Sequence, residues 1–320
     1  MASITLAEAQ KLGLDDLVTG VIENIVDTNP MYNALPFQDI AGNAKTYNRE
    51  ATLGDTQVVG VDGTITAKAA PTYSKVTANL TTIIGDAEVN RLISSQRVGG
   101  DIIAQNIGSK AKNVGRHYQH MFFEGEAGAQ TLVPSTAPKF TYDVDEFNGL
   151  RKTVAGLAAS QTVTLSGALT FEKLDELLNA VKSKDGSVDA LVMSARTIRS
   201  FRALNRALGG SHMEQVMVNG INMESYAGVP IYRSDYIPTD INNSLGTGTA
   251  TDTVVYAINF DSGSESDGIA GLTTGDNMGI SVTPGGLMET KDSNFWRVAF
   301  YSSMAVYSGL SVAMLDEVSN

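Results

Sequence analysis

Residues 46–84 read TYNREATLGDTQVVGVDGTITAKAAPTYSKVTANLTTII. Thr and Val recur at high density, and turn signals fall at Leu53-Gly54-Asp55 and Val61-Asp62-Gly63, so the stretch predicts a long β-hairpin from Thr46 to Ile84. Its tip, roughly Gly54 to Pro71, is too polar to make a core of its own, and an isolated two-stranded hairpin is marginal in water. Such a hairpin needs a partner surface.

A long helix is expected behind it. Gly99-Gly100-Asp101 opens the helix, Ile103, Ile107, Ala111, Val114, Tyr118, Met121 and Phe122 supply its apolar positions, and Gly125 ends it. Its length is about 23 residues, or roughly 35 Å. Between hairpin and helix, Asp86 reads as the cap of a short helix reaching Ser95. Ahead of the hairpin, apolar residues from Leu6 to Ile25 recur near helical spacing and are interrupted by Gly13 and Gly20, predicting two short helices. Asn29-Pro30 and Leu35-Pro36 then break the chain, so residues 1–45 read as an arm crossing a surface.

Further on, Thr170 caps a helix with Phe171, Leu174, Leu177, Leu178 and Val181 on one face, ended by Asp185-Gly186. A strand over Ala190 to Met193 leads into a second amphipathic helix from Ala195 to Leu208, which Gly209-Gly210 terminates. The remainder predicts strands at Val229–Arg233, Thr253–Asn259, Met278–Val282, Phe295–Ser302 and Ser311–Leu315. The fold class is α+β, without internal repeats or an alternating βα series.

With 320 residues, two packed regions are the natural expectation. The chain is 42% hydrophobic and 18% charged, which is enough apolar surface to fold. Its 35 acidic residues against 23 basic ones give a net charge of -12, which opposes tight phosphate binding, so DNA could lie nearby without being held. No cysteine is present, excluding disulfides and thiolate zinc sites, and no apolar run is long enough to cross a membrane as a helix.

Motifs for chemistry are missing from the sequence: it has no Walker loop, nucleophile elbow, zinc-protease helix or dinucleotide fingerprint. No enzymatic activity, cofactor or metal is expected. His117 and His120 lie three apart on the long helix, but no third His or Cys is close in sequence, so they read as surface or interface residues. Asp261 to Gly268 reads DSGSESDG, oxygen-rich but without the carboxylate at position twelve of an EF-hand loop, so a solvated loop is expected. Arg196, Arg199, Arg202 and Arg206 form one sector about 120° wide on their helix, with Ile198, Phe201, Leu204 and Leu208 roughly opposite. In so acidic a chain that stripe is expected to pair with carboxylates of a neighbouring subunit rather than with nucleic acid.

The order arm, extended hairpin, long helix and mixed region leads to Tyr226-Ala227-Gly228-Val229-Pro230-Ile231-Tyr232 and Ser234-Asp235-Tyr236-Ile237-Pro238. With Ile4-Thr5-Leu6-Ala7-Glu8-Ala9, Leu35-Pro36-Phe37 and Tyr47-Asn48-Arg49-Glu50, it resembles the tailed-bacteriophage major capsid proteins of the Hong Kong 97 fold along nearly the whole chain. The resemblance implies an N-terminal arm (1–45), an extended loop (46–84) lying over an adjacent subunit, a peripheral domain (85–187 and 273–320) with a spine helix over about 94–123, and an axial domain (188–272). It implies no catalytic residues. Contacts between subunits are expected at Arg49, Lys68 and Lys75 and along the Arg196, Arg199, Arg202 and Arg206 stripe. Some relatives join a loop Lys to a peripheral Asn covalently. Asn294 is a conceivable partner here, but no such bond is expected.

The implied partners are further copies of the chain in pentamers and hexamers, a portal protein, a separate scaffold or decoration protein, and packaged DNA that is not specifically bound. The implied location is the virion, assembled in the host cytoplasm. An encapsulin-type nanocompartment enclosing cargo enzymes is the alternative.

Overall fold

The structure is a computed structural model that describes residues 30–95, 102–132, 134–135, 138–182, 188–209, 214–218, 220–241, 252–274 and 279–319. The two short helices expected before Pro30 lie outside the described residues. In chain order the elements are β1 (Phe37–Asp39), β2 (Ala44–Thr52), β3 (Thr72–Asn79), β4 (Thr81–Asn90), α1 (Arg91–Ser95), α2 (Ile102–Glu124), α3 (Leu150–Ala155), β5 (Thr162–Gly167), α4 (Phe171–Ala180) and β6 (Ala190–Met193). Then follow α5 (Ala195–Ala207), β7 (Gln215–Val218), β8 (Ile221–Tyr226), β9 (Val229–Arg233), β10 (Asp252–Ile258), β11 (Ile269–Thr273), β12 (Ser281–Leu287), β13 (Ser293–Val306) and β14 (Val312–Ser319). This is the expected α+β class.

Two sheets carry the body. The five-stranded sheet runs β1-β11-β13-β12, with β4 also paired to β13, and the long β13 is its backbone: ten residue pairs from Ser293↔Asn90 to Ser302↔Thr81 join it to β4. The seven-stranded sheet runs β5-β14-β10-β6-β9-β8-β7. Its central strands are buried along their whole length because both faces are covered. Val192, Val254, Tyr256, Ile258, Val312 and Met314 face the α2 side, while Leu191, Met193, Val255, Ala257, Ala313 and Leu315 pack in the separate core shared with α4 and α5. Alternate residues thus enter different cores, as the two-residue period of a strand requires.

The α2 helix joins the sheets. Its Val114, Tyr118, Met121, Phe122 and Phe123 are buried, and they share one core with Ile83, Val298 and Phe300 of the first sheet and Val254 and Tyr256 of the second. Tyr118 is fully buried, with the rings of Phe37, Phe147 and Phe300 at 5.8, 5.7 and 5.4 Å. At the end of α2 the chain turns through Gly125 and Gly149, where a Cβ would lie 2.6 and 2.4 Å from the Met121 carbonyl oxygen. Only glycine fits at either position.

Local capping signals hold where their partners are local. Thr170 accepts from the Lys173 amide and Ser194 from the Thr197 amide, opening α4 and α5 where expected. The α4 helix ends at Ala180, five residues before the Asp185-Gly186 stop, as Val181 turns extended and Lys182 donates to Leu310 O. Several other expectations need correction. The free hairpin is β2 with β3, Ala44 to Asn79, because residues 81–84 already belong to β4 and pair with β13. Asp86 caps no helix: it lies inside β4, and its two carboxylate oxygens each accept from Arg297 at 2.9 Å. The long helix begins at Ile102 rather than 94, since residues 91–95 form the separate α1. Strand pairing runs across the expected boundaries at 188 and 272. Residues 162–167 and 312–319 join the sheet of 190–258, whereas 269–273 joins the sheet of β4 and β13.

Candidate assembly surfaces

The β2-β3 hairpin is tied down at its base only. Tyr47 donates its hydroxyl to Val306 O at 2.7 Å, Arg49 donates Nε to Tyr307 O at 3.0 Å and Nη2 to Val306 O, and Lys45 pairs with Glu265 at 2.6 Å. The Tyr47 and Tyr307 rings meet edge to face at 5.1 Å. Arg49 therefore anchors the hairpin within its own chain. Beyond Thr52 and Thr72, which pair with hydroxyls 2.6 Å apart, no hydrogen bond or ion pair links residues 53–71 to the body among the described residues.

The tip is organised from within. The Gln57 side-chain oxygen Oε1 accepts from the Thr66 and Ala67 amides at 2.8 and 3.0 Å, while its Nε2 donates to Thr64 O. Asp62 sits at φ 69, so the Val61-Asp62-Gly63 turn lies where the sequence places it. The tip is also less polar than its composition suggests. Leu53, Val58, Val61 and Ile65 are exposed, Val58 and Val61 almost completely, at 101% and 98%. Apolar side chains gathered on an exposed tip are the kind of patch from which contact surfaces are built. Lys68 and Lys75 are exposed on the same hairpin, and Asn294 lies on β13, paired in register with Val89.

The arginine stripe divides in two. Arg202 pairs with Glu224 of β8 at 2.6 Å, so it is engaged within the chain, and Arg196 is only partly exposed and has interactions of its own. Arg199 and Arg206 are exposed and make no ion pair among the described residues.

Of the two histidines, His120 is buried and His117 is partly exposed. The His117 ring stacks on Phe140 at 4.5 Å and 6°, with Nε2 3.8 Å from Glu146, while His120 is buried with Nδ1 3.7 Å from Glu124. Each imidazole faces a different carboxylate, and no group of three or more His, Asp or Glu that could hold a metal occurs among the described residues. Burial pushes His120 down to about 4, against the pull of Glu146. It also lifts Glu124 to about 7, against Arg151. The effects on stability have opposite signs: the His120 contribution is lost as pH falls from 6.5 toward 4, and that of Glu124 as pH rises from 4.5 toward 7. Between about pH 4.5 and 6.5 the two slopes offset each other.

Glu126 differs from both. Burial acts to raise its carboxyl, but hydrogen bonds from Lys152, from the Thr131 hydroxyl and from the Leu132 and Thr131 amides outweigh it and hold the group at about 2. A depressed folded-state value gives stability that is present above pH 4.5 and lost as pH falls toward 2. Glu126→Gln is expected to cost about 3 kcal/mol at pH 7, with the difference from wild type shrinking toward zero near pH 2. Urea unfolding of both proteins across that range is the check, and a difference independent of pH would contradict it.

The oxygen-rich loop closes on itself. Asp261 accepts from the Gln38 side chain at 2.7 Å and from the Gly263 and Glu265 amides at 3.0 and 3.1 Å, so its oxygens are already engaged. Gly268, at φ +78, packs so tightly that a Cβ would lie 2.4 Å from the Asp261 nitrogen. This is a structural clasp beside the hairpin base, joined to it through Lys45 and Glu265.

Two sheets bridged by a long helix, with a projecting hairpin at one end, define a capsid-type shell protein of the Hong Kong 97 fold. Solved structures of that fold match from end to end. The holo-SrpI encapsulin complex from Synechococcus elongatus PCC 7942 is 18% identical, covering 99% of this chain and 97% of that one with a TM-score of 0.70. The capsid of a native GTA particle is 11% identical over 100% of both chains, with a TM-score of 0.69. The structure from Mycobacterium phage Bobi is 11% identical over 98% and 99%, with a TM-score of 0.65. The chain belongs to the SrpI-like family, type 2A encapsulin shell protein SrpI-like, whose model matches residues 145–320. No curated protein matches it.

Proposed function

We propose that the chain assembles with copies of itself into pentamers and hexamers that close an icosahedral shell, and that this shell is the head of a tailed bacteriophage enclosing double-stranded DNA. The observation that carries assembly is the hairpin tip, whose apolar side chains have no cover in their own subunit. In this reading the tip lies over the neighbouring subunit, the five-stranded sheet and α2 form the peripheral part, and the seven-stranded sheet points toward the symmetry axes. The role is structural and needs no cofactor. A portal protein and a separate scaffold or decoration protein would be its other partners.

The net charge of -12 is compatible with DNA as the content, since an acidic subunit does not bind a polyanion tightly. The family match favours a second reading, a nanocompartment that encloses cargo enzymes in the cytoplasm. Particles isolated from the native source, treated with nuclease and then opened, separate the two. Protected double-stranded DNA of uniform length supports the phage head, whereas a co-purifying enzyme without DNA supports the nanocompartment.

A further inference from the structure

Resting on the shell reading, we propose that an aromatic pocket beside α5 receives the guanidinium of Arg199 or Arg206 from the next copy in the same ring. The pocket has a volume of about 390 Å³ and is lined by Phe171 of α4, Phe201 and Asn205 of α5, Glu214, and Ser225 and Tyr226 of β8. Its walls are three rings in mutual contact: Phe171 and Tyr226 stack at 5.7 Å and 22°, and Phe201 meets each of them at 5.8 Å.

Two polar groups at this pocket lack partners. The Ser225 hydroxyl is buried and makes no hydrogen bond, although its residue is only 3% exposed. Glu214 is exposed and makes no ion pair among the described residues. Aromatic rings and an exposed carboxylate together suit a planar cation that stacks through its face and donates through its edge, and a guanidinium meets both demands where an ammonium meets one.

The same helix supplies the donor. At 100° per residue Arg199 and Arg206 project within about 20° of each other, roughly 10 Å apart along α5 and about 130° round the helix from Phe201 and Asn205. A closed ring is built from head-to-tail contacts, in which a patch on one side of each subunit meets a complementary patch on another side of the next. Donor and acceptor on different sides of one helix have that arrangement, so every copy gives one contact and takes one. The stripe is narrower than the sequence suggests, because Arg202 and Arg196 are engaged at home.

Charge exchange is the test. Glu214→Arg, and the pair Arg199→Glu with Arg206→Glu, are each expected to lower particle yield at least about tenfold by sedimentation, as loss of roughly 1.4 kcal/mol per contact would require. Adding Glu214→Arg to Arg199→Glu or to Arg206→Glu should restore yield in one of the two pairings. All variants should melt with the wild type, since these side chains are exposed. Folded single-charge variants that assemble normally, or a failure of both exchanges to restore particles, would overturn the contact and leave the shell standing. A wild-type protein that forms no particles at all would overturn the shell reading and this contact with it.

Discussion

Replacing residues 53–71 with a two-residue Asn-Gly turn is expected to leave a folded, soluble chain that no longer forms particles. The body should not notice the change. Thr52 and Thr72 are already a cross-strand pair, and two residues of that kind close an antiparallel pair in the geometry that matches strand twist. The bonds made by Gln57 stay within the tip, and the base keeps Tyr47, Arg49 and Lys45 on the body. What disappears is the exposed apolar surface of Val58, Val61 and Ile65. Covering even two such side chains is worth about 3 kcal/mol or more, so its loss lowers association about a hundredfold per contact. Equal melting temperatures with no particles in the electron microscope would agree; normal particles would remove the hairpin from the assembly account.

Tyr118→Ala is expected to destabilise the subunit by about 3–5 kcal/mol, the range for emptying a buried aromatic site. The ring is fully buried where β1, α2, the 126–149 segment and β13 meet, and four aromatic neighbours would face the cavity. Its hydroxyl also donates to Ser303 O at 3.3 Å. Tyr118→Phe keeps the ring and removes that bond, so about 1 kcal/mol is expected. The contrast separates packing from hydrogen bonding in the cluster that joins α2 to β1 and β13. Urea denaturation of the two variants measures it, and a loss under about 1 kcal/mol for the alanine variant would contradict the packing described.

The legible parts of the fold were those whose causes are local. The apolar spacing from Ile103 to Phe122 marks α2, and Thr170 marks the start of α4. The strand Ala190–Met193 has the expected bounds because a continuous apolar run buried on both faces is readable, and Val229–Arg233 has them too, following the turn at Gly228. Asp86 misled, since a carboxylate before a polar stretch looks like a cap, whereas its partner Arg297 lies 211 residues away. Arg49 and Arg202 likewise have partners within the chain that the sequence does not announce, Tyr307 and Glu224. The short strands β5, β7, β8 and β11 carry too few residues for a clear period, and only the sheet order shows that β14 pairs with β5 and β10. The aromatic pocket was invisible because α4, α5, β8 and Glu214 each contribute one or two side chains to it.

The central claim is that this subunit is built to close a shell with copies of itself. Electron microscopy of the purified full-length protein tests it directly: closed icosahedral particles in which five- and six-fold clusters are joined by hairpins reaching onto adjacent subunits are the predicted result. A protein that stays monomeric at concentrations and salt conditions spanning those of the cell, or that forms only open aggregates with the tip unengaged, would contradict it.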